Sequence, residues 1–382
     1  MSPIIQMYNP TTKMLIKSKD CYQYDSDGKE YIDFESGVWC ANIGHSNDRL
    51  IELIGEQIKK SIHHGYKFRN QFSEDLSERL NTLTGITNGA SVFISSGSEA
   101  VNLSVSLSFH YTGRKKILKI NNSYLSAFGF GQNSPNNDSI VNVQFNDIDS
   151  INTIDFKEIS AFVLETGGAS IDMVQFPEKN FISKIVDMAT KNDCLIIADE
   201  VTTGIGRTGK WFGFQHYDIK PDIVVTGKGL GNGYPVSAVT ANSKVTDYFN
   251  KNPFRYAQSH QNDPLGCAIG LEVLNIIEEE KLIDKCIETG EYFNLKLIQL
   301  AEKYPEKIKE IRARGLILAL ELKKDIDGDF IHTHLFGHGF VTGFKSNTFR
   351  FLPPFTIKQS DIDKLVTKLD DLLISSKSKK IF

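Results

Sequence analysis

Two short apolar runs are each followed by a charged side chain, and the two charges could do chemistry together. Leu195–Ala198 is followed by Asp199, and Ile223–Val225 is followed shortly afterwards by Lys228. Uniformly hydrophobic runs are typical of parallel strands that are covered on both faces. Ligands of open α/β sheets lie beyond the carboxyl ends of such strands, so we expect both charges in one crevice.

A lysine and a carboxylate in one crevice are the groups that pyridoxal phosphate requires. The lysine amine forms a Schiff base with the cofactor, and the carboxylate keeps the pyridine nitrogen protonated so that the ring accepts electrons. Each charge alone is ordinary, because single charged residues more often cap a helix or face solvent. The combination predicts a pyridoxal-phosphate site with Lys228 and Asp199 as its catalytic residues.

Two glycine-rich patterns in the same stretch suggest nucleotide binding but lack its other requirements. Residues 204–209 spell G-x-G-x-x-G, although Glu200–Thr203 separate them from the strand and no good helix start follows. Residues 204–210 spell G-x-x-x-x-G-K, but Trp211 stands where a phosphate loop needs serine or threonine to hold magnesium. Both nucleotide interpretations are therefore disfavoured.

Longer motifs around the pair resemble one enzyme family. The chain reads DEVTTGIGRTG from Asp199 and KPDIVVTGKGLGNGYP from Lys220, which resembles the signature of the class III aminotransferases, pyridoxal-phosphate enzymes of fold type I. The resemblance implies that Lys228 is the Schiff-base lysine, that Asp199 is the pyridinium partner, and that Val201 packs on one face of the ring. The family often has glutamine after that valine, where this chain has Thr202.

A strand-to-helix turn at residues 95–98 predicts a phosphate site. Val92–Ile94 reads as a strand, and we expect a helix over about 99–111. Free N–H groups at a helix start and the helix dipole favour an anion, although a serine followed by an acid is also an ordinary helix cap. The resemblance makes SGSEA the phosphate-binding turn, with Gly97 and Ser98 in contact with the cofactor.

Three further positions follow from the same resemblance. Tyr124 takes the place of an aromatic that stacks on the cofactor ring, and Glu165 matches a family acid that anchors the loop after its strand. The arginine with which acetylornithine- and ornithine-type members hold the substrate α-carboxylate is missing after Tyr124, which disfavours those substrates. The acid that pairs with a mobile arginine in ornithine-type members would fall at Ser170, so we expect that switch to be absent.

Two residues are expected at the substrate. Trp39 lies in GVWC, which resembles the ω-amino-acid–pyruvate branch of the family, where this aromatic lines the substrate pocket; a buried core tryptophan is the alternative. Arg350 matches the arginine of R-x-x-P-P, whose guanidinium offers a bidentate fork to a substrate carboxylate. The alternative is an arginine at a strand end paired with an acid. Because Ser170 replaces the switch acid, Arg350 is expected to serve carboxylates in both half-reactions.

Ser259 is expected to serve a neighbouring subunit. The segment from Ser259 to Leu265 resembles a family element whose threonine contacts the phosphate of the partner's cofactor. Asp263-Pro264 is also an ordinary helix start, and both interpretations can hold. The resemblance therefore implies an obligatory homodimer with shared active sites.

The expected fold is α/β, with a large domain whose mostly parallel central sheet is flanked by helices and a smaller α/β domain built from both termini. A chain of 382 residues exceeds the usual size of one core. We assign residues 1–48 to the N-terminal part of the small domain and 49–245 to the large cofactor-binding domain. Residues 246–382 form the connecting segment and the C-terminal small domain. One strand is expected over Ile311–Leu322.

Composition excludes several classes of protein. A net charge of −4 without long basic runs argues against nucleic-acid binding. The longest apolar run falls short of a membrane span. The five cysteines are scattered without a C-x-x-C pair, which indicates reduced thiols rather than a disulfide or metal framework. We therefore expect a soluble cytoplasmic protein without a membrane segment or a metal site.

Together these features predict a ping-pong aminotransferase. It would move an amino group from an amine or ω-amino acid to a keto acid such as pyruvate or 2-oxoglutarate, with Lys228 as the proton-transferring base. One alternative is an isomerase with the same cofactor, either an aminomutase or a racemase, which would need no added keto acid. The other is a non-catalytic protein that kept the fold.

Overall fold

Strands and helices alternate along much of the chain. The computed structural model describes residues 4–5, 7–8, 11–131, 137–167 and 174–376. Its strands are β1 (Leu15–Lys19), β2 (Tyr22–Asp25), β3 (Glu30–Asp33), β4 (Ala90–Ile94), β5 (Lys116–Ile120), β6 (Ile140–Val143), β7 (Ile159–Glu165), β8 (Leu195–Asp199), β9 (Ile223–Thr226), β10 (Ser237–Ala241), β11 (Ile308–Arg314), β12 (Ile317–Leu322), β13 (Phe340–Val341), β14 (Gly343–Lys345) and β15 (Thr348–Phe351).

The helical segments include one short turn that is not right-handed. They are α1 (Ser36–Trp39), α2 (Asp48–Lys60), α3 (Gln71–Thr84), α4 (Gly97–Thr112), α5 (Ile148–Ile151), α6 (Lys179–Lys191), α7 (Ser243–Lys251), α8 (Pro264–Glu279), α9 (Leu282–Lys303), α10 (Gly328–Gly337) and α11 (Gln359–Ser375). In α1 the backbone is left-handed throughout. Among the helices of the described ranges, none has the length and apolar character that a membrane crossing requires.

A seven-stranded sheet of order β4-β10-β9-β8-β7-β5-β6 is the central layer. The strands from β9 to β6 in that order are parallel, and β10 is antiparallel to both of its neighbours. Along β8, Leu195 and Ile197 pack in the cluster that includes Val101 of α4, whereas Ile196 packs with Phe181 of α6. Both faces are thus covered, which explains the uniformly apolar run and confirms the predicted α/β fold.

The carboxyl ends of several strands meet at one edge of this sheet. Glu165 ends β7, Asp199 ends the adjacent β8, and Lys228 follows the next strand, β9. Strand β4 is antiparallel to β10 and therefore runs in the same direction as β9. Gly97, the first residue of α4, thus lies at this edge as well.

Of the two smaller sheets, one combines segments from both ends of the chain and the other is built from C-terminal segments. The β2–β3 hairpin pairs in parallel with β13, where Ile32 lies opposite Phe340. The other sheet has the order β11-β12-β15-β14. The single strand predicted over Ile311–Leu322 is wrong, because the chain turns at Gly315, with φ of 55°, and forms the antiparallel pair β11–β12. The proposed division into domains stays a prediction.

Helix α4 begins two residues earlier than predicted. Ser96 occupies the N-cap, and its hydroxyl accepts a hydrogen bond from the Glu99 backbone N–H at 3.2 Å. The Glu99 carboxylate in turn accepts the N–H of Ser95 at 3.2 Å. Gly97 and Ser98 are therefore in the first turn of the helix, where backbone N–H groups have no partner within the helix.

Candidate active site

A cavity of about 820 Å³ lies where the edge of the central sheet meets the segments around Trp39 and Arg350. Most of the residues singled out in the sequence line it. These are Trp39, Gly97, Ser98, Tyr124, Glu165, Asp199, Val201, Lys228 and Arg350. The tertiary structure thus brings together residues from several strands and from the turns that follow them.

Lys228 and Asp199 share this cavity. Lys228 Nζ donates a hydrogen bond to Thr202 Oγ1 at 2.8 Å, and Asp199 Oδ1 accepts the backbone N–H of Val201 at 3.1 Å. Burial raises the pKa of Asp199 to about 7, opposed by the Val201 N–H and the charge of Lys228. Burial lowers the pKa of Lys228, opposed by the charge of Asp199. The Lys228 amine therefore loses its proton more easily than a lysine in water does. The charge of Lys228 does not offset the cost of burying the Asp199 carboxylate.

The backbone at Lys228 is itself unusual. Its φ of 43° lies in the left-handed region, which a non-glycine residue adopts only at a cost. Such conformations concentrate at functional sites, where the surrounding structure holds them. The adjacent Gly227 leaves room for Ser237, whose Oγ would lie 2.7 Å from an added Cβ.

The start of α4 forms the polar wall of the cavity. At Gly97 an added Cβ would lie 2.7 Å from Val201 Cγ1, so only glycine lets the helix approach the segment after β8 so closely. Ser98 Oγ accepts the backbone N–H of Ala127 at 2.9 Å, which ties this turn to the Tyr124 segment. The helix N-terminus offers free N–H groups and a positive dipole end, which suit a phosphate.

Glu165 holds the segment that carries Tyr124. One carboxylate oxygen accepts the Tyr124 backbone N–H at 3.1 Å. This contact runs to the segment that follows β5, the strand beside β7. The expected anchoring of the loop after β7 stays a prediction, because residues 168–173 lie outside the described residues. Ser170, the position of the ornithine-type acid, lies outside the described residues.

Trp39 lies close to both the lysine and the arginine. Lys228 Nζ is 4.5 Å from the centre of its ring, and the Arg350 guanidinium carbon is 5.1 Å away. The Glu35 carboxylate approaches Arg350 with 3.8 Å between Oε1 and Nη2. The alternative interpretation of Arg350, an arginine paired with an acid, thus has an observed partner, which comes from the N-terminal segment.

Arg207 has a structural role that the sequence analysis did not identify. Its side chain is completely buried and donates hydrogen bonds to Ser36 Oγ at 3.1 Å, to Asn42 Oδ1 at 2.5 Å and to the carbonyl of Pro353. It therefore links the loop after β8 to both segments that carry the substrate-end residues. The sequence showed Arg207 only as part of a motif. Glu35, Phe344 and Lys345 also line the cavity and gave no signal in the sequence.

Ser259 does not line this cavity and is exposed. Its role toward a partner subunit stays a prediction. Nearby, Pro264 is the first residue of α8, but the side chain of Asp263 does not cap the helix. It bonds instead to His63 Nδ1 at 2.6 Å and His260 Nδ1 at 2.5 Å.

Known aminotransferases resemble this protein over nearly the whole chain. Residues 6–129 and 125–373 match the family model of the class-III aminotransferases. An acetylornithine aminotransferase of Aquifex aeolicus is 31% identical over 98% of this chain and 100% of its own length. The solved acetylornithine aminotransferase of Elizabethkingia anophelis superposes with a TM-score of 0.86 at 26% identity, over 97% of this chain and 96% of that one. An ornithine aminotransferase from Toxoplasma gondii shares the fold, with a TM-score of 0.89 at 24% identity over 98% and 93% of the two chains.

Proposed function

This chain belongs to the class III aminotransferases, and we propose that Lys228 and Asp199 are the residues with which it moves an amino group from an amine to a keto acid. Members of this family act on amino and keto-acid substrates and depend on pyridoxal phosphate. One observation carries the assignment of residues. Asp199 ends β8 and Lys228 follows the adjacent β9; the two side chains line one cavity and shift each other's pKa.

The residues present fit pyridoxal phosphate. Asp199 is buried without a cationic hydrogen-bond partner among the described residues, and the protonated ring nitrogen would provide one. Val201 and Tyr124 both line the cavity and would enclose the ring. The close approach at Gly97 would admit a phosphate to the first turn of α4, within reach of Ser98.

The residues of the chain then divide the work of transamination. When bound, pyridoxal phosphate supplies an aldehyde that takes the amino group and a ring that accepts electrons. Lys228 Nζ takes the proton from the amine-bearing carbon of the donor and later returns one to the carbon of the keto acid. Its lowered pKa makes the neutral, basic amine more abundant, and Thr202 Oγ1 holds that amine in place. Asp199 stabilises positive charge on the ring nitrogen.

We propose an amine or ω-amino acid as the donor and pyruvate or 2-oxoglutarate as the acceptor. Two residues of the cavity wall support this choice, Trp39 and the aliphatic Leu125. Leu125 follows Tyr124, and no arginine comes after Tyr124 to hold an α-carboxylate. Acetylornithine is the second candidate donor, because curated relatives at about 30% identity carry that name. An isomerase is not favoured, since the relatives are named as aminotransferases.

A homodimer and a cytoplasmic location complete the proposal. Ser259 is exposed and lies outside its own subunit's cavity, as a residue that serves a partner would. Apolar side chains on the surface, among them Phe68 at 71% and Phe128 at 53% exposure, support the proposal that a partner subunit covers part of this surface. The five cysteines are free thiols, which suits a reducing compartment. The particle mass in solution tests the dimer.

Replacing the proposed Schiff-base lysine tests the function. We expect Lys228→Ala, loaded with pyridoxal phosphate, to transfer amino groups at least about 10³-fold more slowly, because base and tether are lost together. The measurement follows the amino product formed from each candidate donor with pyruvate or 2-oxoglutarate, alongside the absorbance of the cofactor. The matched control is Lys220→Ala, which removes an exposed lysine and should leave the rate unchanged.

Two outcomes would contradict this assignment. Transfer at the wild-type rate in Lys228→Ala would remove the lysine from the mechanism. Conversion of an amine by the wild-type protein without any keto acid would favour the isomerase instead.

A further inference from the structure

Glu35 is a cavity residue to which the proposed transamination gives no role. It lies two residues after the end of β3. Its side chain is 19% exposed and lines the cavity beside Arg350, which is 14% exposed. The two side chains come from opposite ends of the chain. Their charged groups approach to 3.8 Å, which is an ion-pair distance but too long for a hydrogen bond.

The neighbouring strand is built to admit this carboxylate. Gly343 of β14 lies opposite Arg350 in the β14–β15 register. A Cβ at Gly343 would lie 2.0 Å from Glu35 Oε1 and 3.0 Å from Arg350 Nε. Because the φ angle of Gly343 is not in the left-handed region, the glycine is required for space and not for backbone conformation. Any side chain there would displace the carboxylate.

A strained turn fixes Glu35 and Trp39 together. Ser36, Gly37, Val38 and Trp39 have φ angles of 48°, 56°, 63° and 66°, all in the left-handed region. L-residues adopt this conformation at a cost, and as a rule only singly. The turn is held from both sides. Asp33 accepts the backbone N–H groups of Glu35 and Gly37 at 2.8 Å each, and Ser36 Oγ donates to the carbonyl of Leu352 at 2.5 Å.

The carboxylate is not fully satisfied where it lies. Glu35 Oε1 is buried and makes no hydrogen bond within the part of the chain that the structure describes. Burial raises the pKa of Glu35, and the charge of Arg350 opposes that rise. A carboxylate in this state attracts a cation that enters the cavity and repels another carboxylate that approaches Arg350.

We propose that Glu35 selects the charge of the substrate: it competes with substrate carboxylates for Arg350 and attracts the second ammonium group of a diamine donor. The inference rests on the aminotransferase function proposed above and specifies its donor class. Glu35 would thus contribute to specificity in two ways, by repelling carboxylate ligands and by attracting a diamine. Keto acids then bind by displacing Glu35 from Arg350.

Two donors of equal length test the proposal. The pair is 1,4-diaminobutane and 4-aminobutanoate, which share a four-carbon chain and differ only at the fourth carbon, which is either a methylene that bears an ammonium group or a carboxylate. In the Glu35→Gln variant we expect KM to fall about tenfold for the amino acid and to rise about tenfold for the diamine, with pyruvate as acceptor in both cases. Opposite shifts are the signature of a charge effect, since damage to the fold would weaken both donors.

The matched control is Glu30→Gln, which removes an exposed carboxylate on β3 and changes the net charge equally. It should leave the ratio of the two KM values unchanged. If Glu35→Gln does not fold, Gly343→Ala displaces the carboxylate without removing it and should shift the ratio in the same direction. An unchanged ratio, or two KM values that move together, would overturn the proposal.

A binding measurement separates this inference from the proposed function. Propionate carries a carboxylate and cannot react, and its dissociation constant for the cofactor-loaded protein is measured by calorimetry. We expect Glu35→Gln to bind propionate about tenfold more tightly than the wild type. If the wild type converts neither amine, the proposed function fails while the propionate result still reports on Glu35. If amines are converted and propionate binding is unchanged, only the role of Glu35 fails.

Discussion

At one end of the cavity Asp199 and Lys228 follow adjacent strands of a single sheet, whereas at the other end Glu35 and Arg350 come from opposite ends of the chain. The first pair is positioned by regular strands whose faces are both covered. The second depends on a left-handed turn and on the buried Arg207 that links it to the Pro353 segment.

The two ends of the cavity therefore have different functions: one holds the groups for catalysis and the other the groups that select the substrate. The cofactor end is part of the central layer, so the packed core fixes the positions of its side chains. The substrate end is assembled from terminal segments around a strained turn, so single substitutions there can alter selectivity and leave the chemistry in place. We expect variants at the two ends to fail in different ways.

The largest effect is expected from Asp199→Asn at the cofactor end. An amide cannot stabilise a positive ring nitrogen, so kcat should fall by about 10² to 10³-fold while the protein stays folded. Steady-state rates with the best donor measure this loss. Asp218→Asn, an exposed carboxylate with a side chain 79% accessible, is the control and should retain full activity. A loss of less than about tenfold would show that the ring nitrogen does not depend on this acid.

Asp199→Asn also has an expected effect on stability without cofactor. Burial raises the pKa of Asp199 from 3.8 to about 7, so between these values the folded protein holds a proton that the unfolded chain releases. The free energy of unfolding should therefore fall as the pH rises through this window. In the Asn variant the free energy of unfolding, measured by denaturant titration at a series of pH values, should fall less steeply with pH. Part of the slope should remain, because burial also raises the pKa of Glu200 to about 7.

Gly97→Ala should have a smaller effect, on cofactor affinity. The added methyl would lie 2.7 Å from Val201 Cγ1, and relieving such overpacking costs about 1–3 kcal/mol. We expect the dissociation constant of pyridoxal phosphate to rise about tenfold or more, as measured by cofactor titration. Gly55→Ala in α2 is the control, since its Cβ would meet no atom within 4 Å. Equal affinities in the two variants would contradict the close approach.

The smallest effect is expected at the strained turn. Val38 is exposed and has φ of 63°, so Val38→Gly should relieve strain and raise the free energy of unfolding by about 1 kcal/mol. The exposed Ile51 in α2 gives the opposite case, because glycine within a helix should lower stability by about 1 kcal/mol. Denaturant midpoints measure both. Equal losses in the two variants would mean that the turn stores no strain.

Much of the cofactor end could be predicted from the sequence. Uniformly apolar runs ending at Asp199 and before Lys228 identified two buried parallel strands, and parallel strands present their carboxyl ends at the same edge. The helix after Ile94 was also predicted, although it begins at Gly97, two residues before the expected start, with Ser96 as its N-cap. Local patterns suffice here because strand direction and sheet order fix the geometry.

At the substrate end the sequence indicated Trp39 and Arg350, which both line the cavity, but the carboxylate beside them was decided by tertiary structure. Nothing near Glu35 in the sequence indicates that Arg350 lies beside it or that Gly343 leaves space for its carboxylate. The left-handed backbone from Ser36 to Trp39 runs against local preference and persists because distant residues hold it. The sequence by itself determined the fold and the lysine–aspartate pair, since these follow from uniformly apolar runs that form buried parallel strands. Contacts between the two ends of the chain decided which charges face the substrate, because no local pattern encodes such contacts.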